Sequence, residues 1–179
     1  MGVVNKKGVS RTKTFRFDEA IIEELTKEAE KGGVSTNQLT EKIIEHYLEH
    51  ERWNKDLSSL TILPNTIKAL INVLDEETLT EIGSELGASF PKEYLLMRGM
   101  STDKKATQYF ILKTLSENNH WFNASYHTGG TPYYYIRIEL GMKWSLFLEA
   151  YLRAFFENLL EEKIVIRRAG ENFQILLEY

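Results

Sequence analysis

The chain has 179 residues, 42% of them hydrophobic and 27% charged, with a formal net charge of −4. That is ordinary usage for one or two globular domains; no apolar run approaches the ~20 residues of a membrane span, and the start lacks the apolar core of a secretory signal, so a cytoplasmic protein is expected. The absence of cysteine excludes disulfides, thiolate metal sites, zinc fingers and cysteine nucleophiles.

Between Met1 and Phe17 the chain carries Lys6, Lys7, Arg11, Lys13 and Arg16 and no acid. This arm is strongly positive within an acidic protein, and phosphate is its natural counter-charge. Over Thr12–Phe17, period-two alternation predicts a strand with Phe15 and Phe17 on one face and Thr12, Thr14 and Arg16 on the other. Asp18 stands where an N-cap belongs, ahead of a helix with Ile21, Ile22, Leu25 and Ala29 at helical spacing. Gly32-Gly33 ends it. A second helix opens at Ser35, with Gln38 as capping-box partner and Val34 placed to staple onto Leu39. Its apolar stripe is Leu39, Ile43, Ile44, Tyr47 and Leu48, leaving Glu41, Lys42, Glu45 and His46 for water.

A strand and two helices of this size cannot bury enough apolar surface alone, so a partner chain is expected. The segment KTFRF followed by DEAIIEELTKEAEKGGVSTNQLTEKIIEHYLE resembles the ribbon-helix-helix class of transcriptional regulators. In that family two chains pair their strands into an antiparallel ribbon that enters the major groove of double-stranded DNA. The resemblance implies a homodimer, with Thr12, Thr14 and Arg16 reading bases and Phe15 and Phe17 in the dimer core. It implies phosphate contacts from Ser35, Thr36 and Asn37, joined by the cations Lys6, Lys7, Arg11 and Lys13. Elementary chemistry agrees: Arg pairs two acceptors on a guanine edge, Thr donates, accepts or touches a thymine methyl, and a helix N-terminus offers free amides to a phosphate. The pattern departs from the family at Lys13, where an apolar residue is commoner, and it covers roughly a quarter of the chain.

The division between parts is expected within His50–Ser59, giving a DNA-binding domain over 1–54 and a second domain over 55–179. The second part reads as α+β. Leu60-Thr61-Ile62-Leu63 predicts a short strand stopped by Pro64, followed by helical periodicity over Ile67–Leu74 and Leu79–Leu86, with Gly87 closing the pair. Ser101-Thr102-Asp103 offers caps for a further helix whose apolar set is Ala106, Tyr109, Phe110, Leu112 and Leu115. Trp121–Tyr126 and Tyr133–Ile138 around a Gly-Gly turn predict a hairpin; Trp144–Leu160 predicts a helix, and Lys163–Arg168 with Phe173–Glu178 a second hairpin. The chain therefore ends as ββαββ, most economically a helix over a mainly antiparallel sheet. Tyr134 must face away from Tyr133 and Tyr135, which leaves one side of that strand for another chain to cover.

The aromatics concentrated here, among them Trp121, Tyr126, Tyr133, Tyr134, Trp144, Phe147 and Phe156, fit either a pocket for a planar or apolar effector or core and dimer packing, with packing the more economical. His46 and His50, four apart on a helix, with His120 and His127 near the hairpin, raise a metal site, but alternating Glu45 and Glu49 favour a solvated helix end. No metal or other cofactor is expected. No base, nucleophile and orienting group converge, Ser145 lacks a glycine-flanked elbow, and no phosphate-cradling glycine loop is present, so an enzyme is not expected. The expectation is a homodimeric, sequence-specific regulator whose second domain senses a small-molecule effector or pairs dimers into tetramers. The competing reading is an antitoxin-like DNA binder whose second half holds a partner protein; in a third, the chain binds a small molecule and its first part serves dimerisation alone.

Overall fold

The computed structural model describes residues 11–53, 60–160 and 163–177. They fall into two compact units, one before residue 60 and one from Leu60 onward.

In the first unit, α1 spans Glu19–Lys31 and α2 spans Thr36–His46. Asp18 is the N-cap of α1, where its backbone carbonyl accepts from the amides of Ile21 and Ile22 while its side chain makes no capping bond. The helix stops because Gly33 takes φ +63, a left-handed conformation that glycine adopts without penalty. The amide of Val34 then bonds the Ala29 carbonyl at 3.0 Å and that of Gly33 the Glu30 carbonyl at 3.1 Å, which is a Schellman turn. Ser35 and Gln38 form the expected capping box: the Gln38 amide donates to Ser35 Oγ at 3.2 Å and the Ser35 amide to Gln38 Oε1 at 2.9 Å. After α2 the chain continues through a π-helical turn over Tyr47–Glu51 and stays helical to Trp53.

The second unit is α+β, with four antiparallel strands in one sheet. Its first element departs from expectation. Residues 60–63 form no strand; Leu63 is instead the N-cap of α3, Pro64–Asn72, with Pro64 in the first turn. Proline lacks an amide that the first turn could not use anyway, so it starts this helix rather than ending a strand.

A second departure follows. Gly87 does not close a helix pair, because α4 runs through it from Glu76 to Met97. Gly83, Gly87 and Pro91 are buried on one side of α4, where it meets the helix Met142–Leu159 (α6 in chain order). A Cβ built on Gly87 would lie 2.1 Å from the Tyr151 carbonyl oxygen, and one on Gly83 2.5 Å from that of Phe147. These glycines set the approach of two backbones.

Asp103 caps α5, Lys104–Tyr109, by accepting from the Ala106 amide at 2.8 Å. The helix passes into a π-helical stretch over Phe110–Asn118, whose i→i+5 bonding widens each turn. This moves the buried face: Ala106, Phe110 and Leu115 are buried as expected, whereas Tyr109 and Leu112 are half-buried and Ile111 is fully enclosed.

Strands β1 (Asn123–His127), β2 (Tyr133–Arg137), β3 (Ile164–Ala169) and β4 (Asn172–Leu177) lie in the order β1-β2-β4-β3. Both expected hairpins form, and β2 pairs with β4 through Tyr134↔Ile175 to make one sheet of them. Alternation puts Tyr134 and Ile136 inside and leaves Tyr135 exposed. Helix α6 is apolar on several faces because it is covered on several: Phe147 and Tyr151 meet α4, the Phe155 ring lies tilted 5.2 Å from that of Phe110, and Phe156 meets Tyr134 at 5.8 Å. Its N-terminal Lys143 reaches back to the carbonyls of Asn72 and Leu74 at the end of α3.

Candidate nucleic-acid interface

The residues expected to read bases lie in 11–18, which precede α1 without helix, turn or strand pairing. The strand expected over Thr12–Phe17 is therefore not formed within one chain, because a strand needs a partner for its amides and carbonyls. The rings of Phe15 and Phe17 lie 6.3 Å apart, and every residue from Arg11 to Phe17 is exposed. Arg11, Lys13 and Arg16 bring three cations and no acid to this arm. Lys6 and Lys7 fall outside the described residues.

Ser35, Thr36 and Asn37 stand together at the start of α2. The capping box occupies the amides of Ser35 and Gln38, leaving those of Thr36 and Asn37 as the amides to which an α-helix itself supplies no acceptor. Ser35 and Asn37 are exposed and Thr36 is half-buried. Thr36 Oγ1 lies 3.4 Å from Thr26 Oγ1, and Thr26 in turn donates to the Ile22 carbonyl at 2.8 Å. Thr26 thus links the two helices behind the α2 start. Sequence pattern gives it no special place, since the contact spans ten residues across the glycine turn.

The apolar stripes read from the sequence are present but uncovered. Phe15, Phe17, Ile21, Ile22, Ile43, Ile44 and Tyr47 are all exposed, Phe15 by 60%. Among the described residues of this unit only Ala29 and His50 are buried. Globular chains rarely leave so much large apolar surface in so short a stretch without something to cover it.

The rings of His46 and His50 lie 5.3 Å apart, and His46 Nε2 lies 3.4 Å from Glu51 Oε1. In the second unit His127 stacks on Tyr133 at 4.7 Å and meets Ser125 Oγ at 2.8 Å, while His120 occupies a left-handed backbone conformation. No cluster of three or more metal-ligating side chains occurs among the described residues. No described helix is long and apolar enough to cross a membrane.

Comparison with protein-family models, curated proteins and solved structures gave no match.

Proposed function

We propose that the chain is a sequence-specific DNA-binding transcription regulator of the ribbon-helix-helix kind, acting as a homodimer, with a second unit that regulates it or extends its oligomerisation. The observation that carries this reading is the coincidence of two faces in one unit. Seven large apolar side chains from the arm, α1, α2 and the turn that follows it stand exposed, while Thr12, Thr14 and Arg16 alternate in sequence with the two phenylalanines. Two copies whose arms pair antiparallel would bury Phe15 and Phe17 between the α-helices and satisfy the unpaired backbone of both arms. The same pairing turns the threonines and Arg16 outward together, as side chains able to read base edges.

Phosphate contacts come from Arg11 and Lys13 and from the Thr36 and Asn37 amides, where the helix dipole also favours an anion. The net charge of −4 does not oppose this, because steering depends on local distribution.

Selection of bound sequences from random duplex DNA by the purified full-length protein tests the proposal. A short, roughly palindromic consensus is expected. Arg16→Ala should weaken binding to that consensus by roughly 1–3 kcal/mol and relax one position of it, while the protein stays a folded dimer. No enriched sequence, or an Arg16→Ala variant with unchanged affinity, would reject the assigned reading face.

A further inference from the structure

The second unit begins with its least covered stretch. Leu60 is 85% exposed, Leu63 73% and Val73 82%, and Ile62 and Leu70 are exposed as well. No other large apolar side chain described in this unit exceeds 55%. On α3 the cause is visible: Ile71 is buried, Ile67 and Lys68 are half-buried, and Lys143 fastens the end of the helix through the carbonyls of Asn72 and Leu74. Leu63, Leu70 and Val73, seven and then three residues apart, share the side that stays open. Lys68 is the sole charged residue between Leu60 and Leu74. Solvated helix faces carry charge, whereas the centres of interfaces are depleted of it.

Magnitude decides what kind of contact this face can make. The five side chains expose on the order of 600 Å² per copy, the upper end of what a single chain leaves open, and two such faces would bury about 1,200 Å², the lower end for a specific interface. A free encounter through so small an area is weak. Two copies already joined elsewhere differ, because a tether raises the effective concentration of a second contact to the millimolar range. Only residues 54–59 separate Leu60 from Trp53, a covalent reach of about 25 Å at most. The tether between the first unit and this face is thus short.

We propose that a second copy of the chain covers this face, α3 packing on its counterpart about a two-fold axis so that Leu63, Leu70 and Val73 of both copies are buried together. The inference rests on the homodimer reading given above and names the partner of the second unit. An almost uncharged face meets its own copy without like-charge repulsion, and its single lysine gives an acidic partner one point of attraction only.

Sedimentation equilibrium of the full-length protein tests this. Leu70→Asp/Val73→Asp, at two exposed positions, should stay folded by circular dichroism and raise the dimer dissociation constant roughly tenfold, the ratio of a millimolar effective concentration to an intrinsic constant of about 0.1 mM. An Ile43→Asp chain, monomeric when dilute, should self-associate again at about 1 mM, and the triple variant should not. Because the chain has no cysteine, Leu70→Cys gives a direct readout: a short bis-maleimide should join two such copies far faster than two Arg167→Cys copies, whose site is exposed on β3. An unchanged dissociation constant or equal cross-linking at the two positions would overturn the proposal, as would a Leu70→Cys chain that joins a foreign protein in cell extract but never its own copy. Random-duplex selection on the same preparations separates the two readings. A protein that selects DNA but ignores Leu70→Asp/Val73→Asp loses this face alone, and one that needs the face for dimerisation but selects no DNA loses only the DNA reading.

Discussion

Gly83 and Gly87 illustrate how one residue type carries opposite meanings. In an exposed helix, Gly→Ala stabilises by about 1 kcal/mol through helix propensity. Here the added methyl of Gly87→Ala would sit 2.1 Å from a backbone oxygen on α6, where no flexible side chain can yield. The two helices must separate, and the variant is expected to lose about 3 kcal/mol or more of stability despite its better propensity, read from the midpoint of chemical denaturation. Ser35 is a milder case. Its hydroxyl satisfies the Gln38 amide, so Ser35→Ala should cost about 1 kcal/mol, and Ser35→Gly only a few tenths. A thermal melt of the two variants side by side checks that order.

Among the elements, the start signals of the helices were the most legible features of the chain. Asp18, Ser35 and Asp103 each stand where the sequence places a cap, because capping depends on residues within one turn of each other. Stop signals were less so: Gly32-Gly33 ends α1, whereas Gly87, with no difference visible locally, lies in mid-helix. Pro64 was misread for the same reason, since proline fits both the end of a strand and the first turn of a helix. The caps also carry a pH dependence. Asp75 is the N-cap of α4, where backbone and side-chain hydrogen bonding from Thr78 lowers its carboxyl, and the Ser101 hydroxyl with the Ala106 amide lowers that of Asp103. A carboxyl depressed on folding adds stability that is fully present above its unfolded value and is lost as pH falls through the folded one. Stability should therefore decline below about pH 4. Asp103→Asn, which keeps an acceptor but cannot titrate, should flatten that decline, as followed by helical circular dichroism during acid titration.

At the scale of the molecule, the first unit poses the question that a single chain leaves open. Its apolar side chains are arranged for burial yet stand exposed, so its stability should depend on protein concentration. Ile43→Asp, placed in the middle of that exposed set, should convert the protein to monomer in sedimentation-velocity runs and abolish operator binding, while the second unit keeps its own core. Binding to DNA should fall steeply with salt, and Lys13→Ala should lower the slope of log affinity against log salt concentration by about 1 with little change in the selected sequence.

What the sequence by itself determined was local: the caps, the glycine turn, the alternation in Tyr133–Tyr135, and both hairpins rest on neighbours no more than a few residues away. Spacing groups Thr12, Thr14 and Arg16 with one another, but their proposed base-reading role rests on the resemblance to the ribbon-helix-helix class and not on spacing. Only the tertiary structure decided that β2 joins β4 to make one sheet, that Gly83 and Gly87 seat α4 against α6, and that Ile71 is buried while Leu63, Leu70 and Val73 stay open. Those arrangements depend on which surfaces meet after the elements have formed. Pairings across tens of residues follow from shape and burial, which no window of sequence contains.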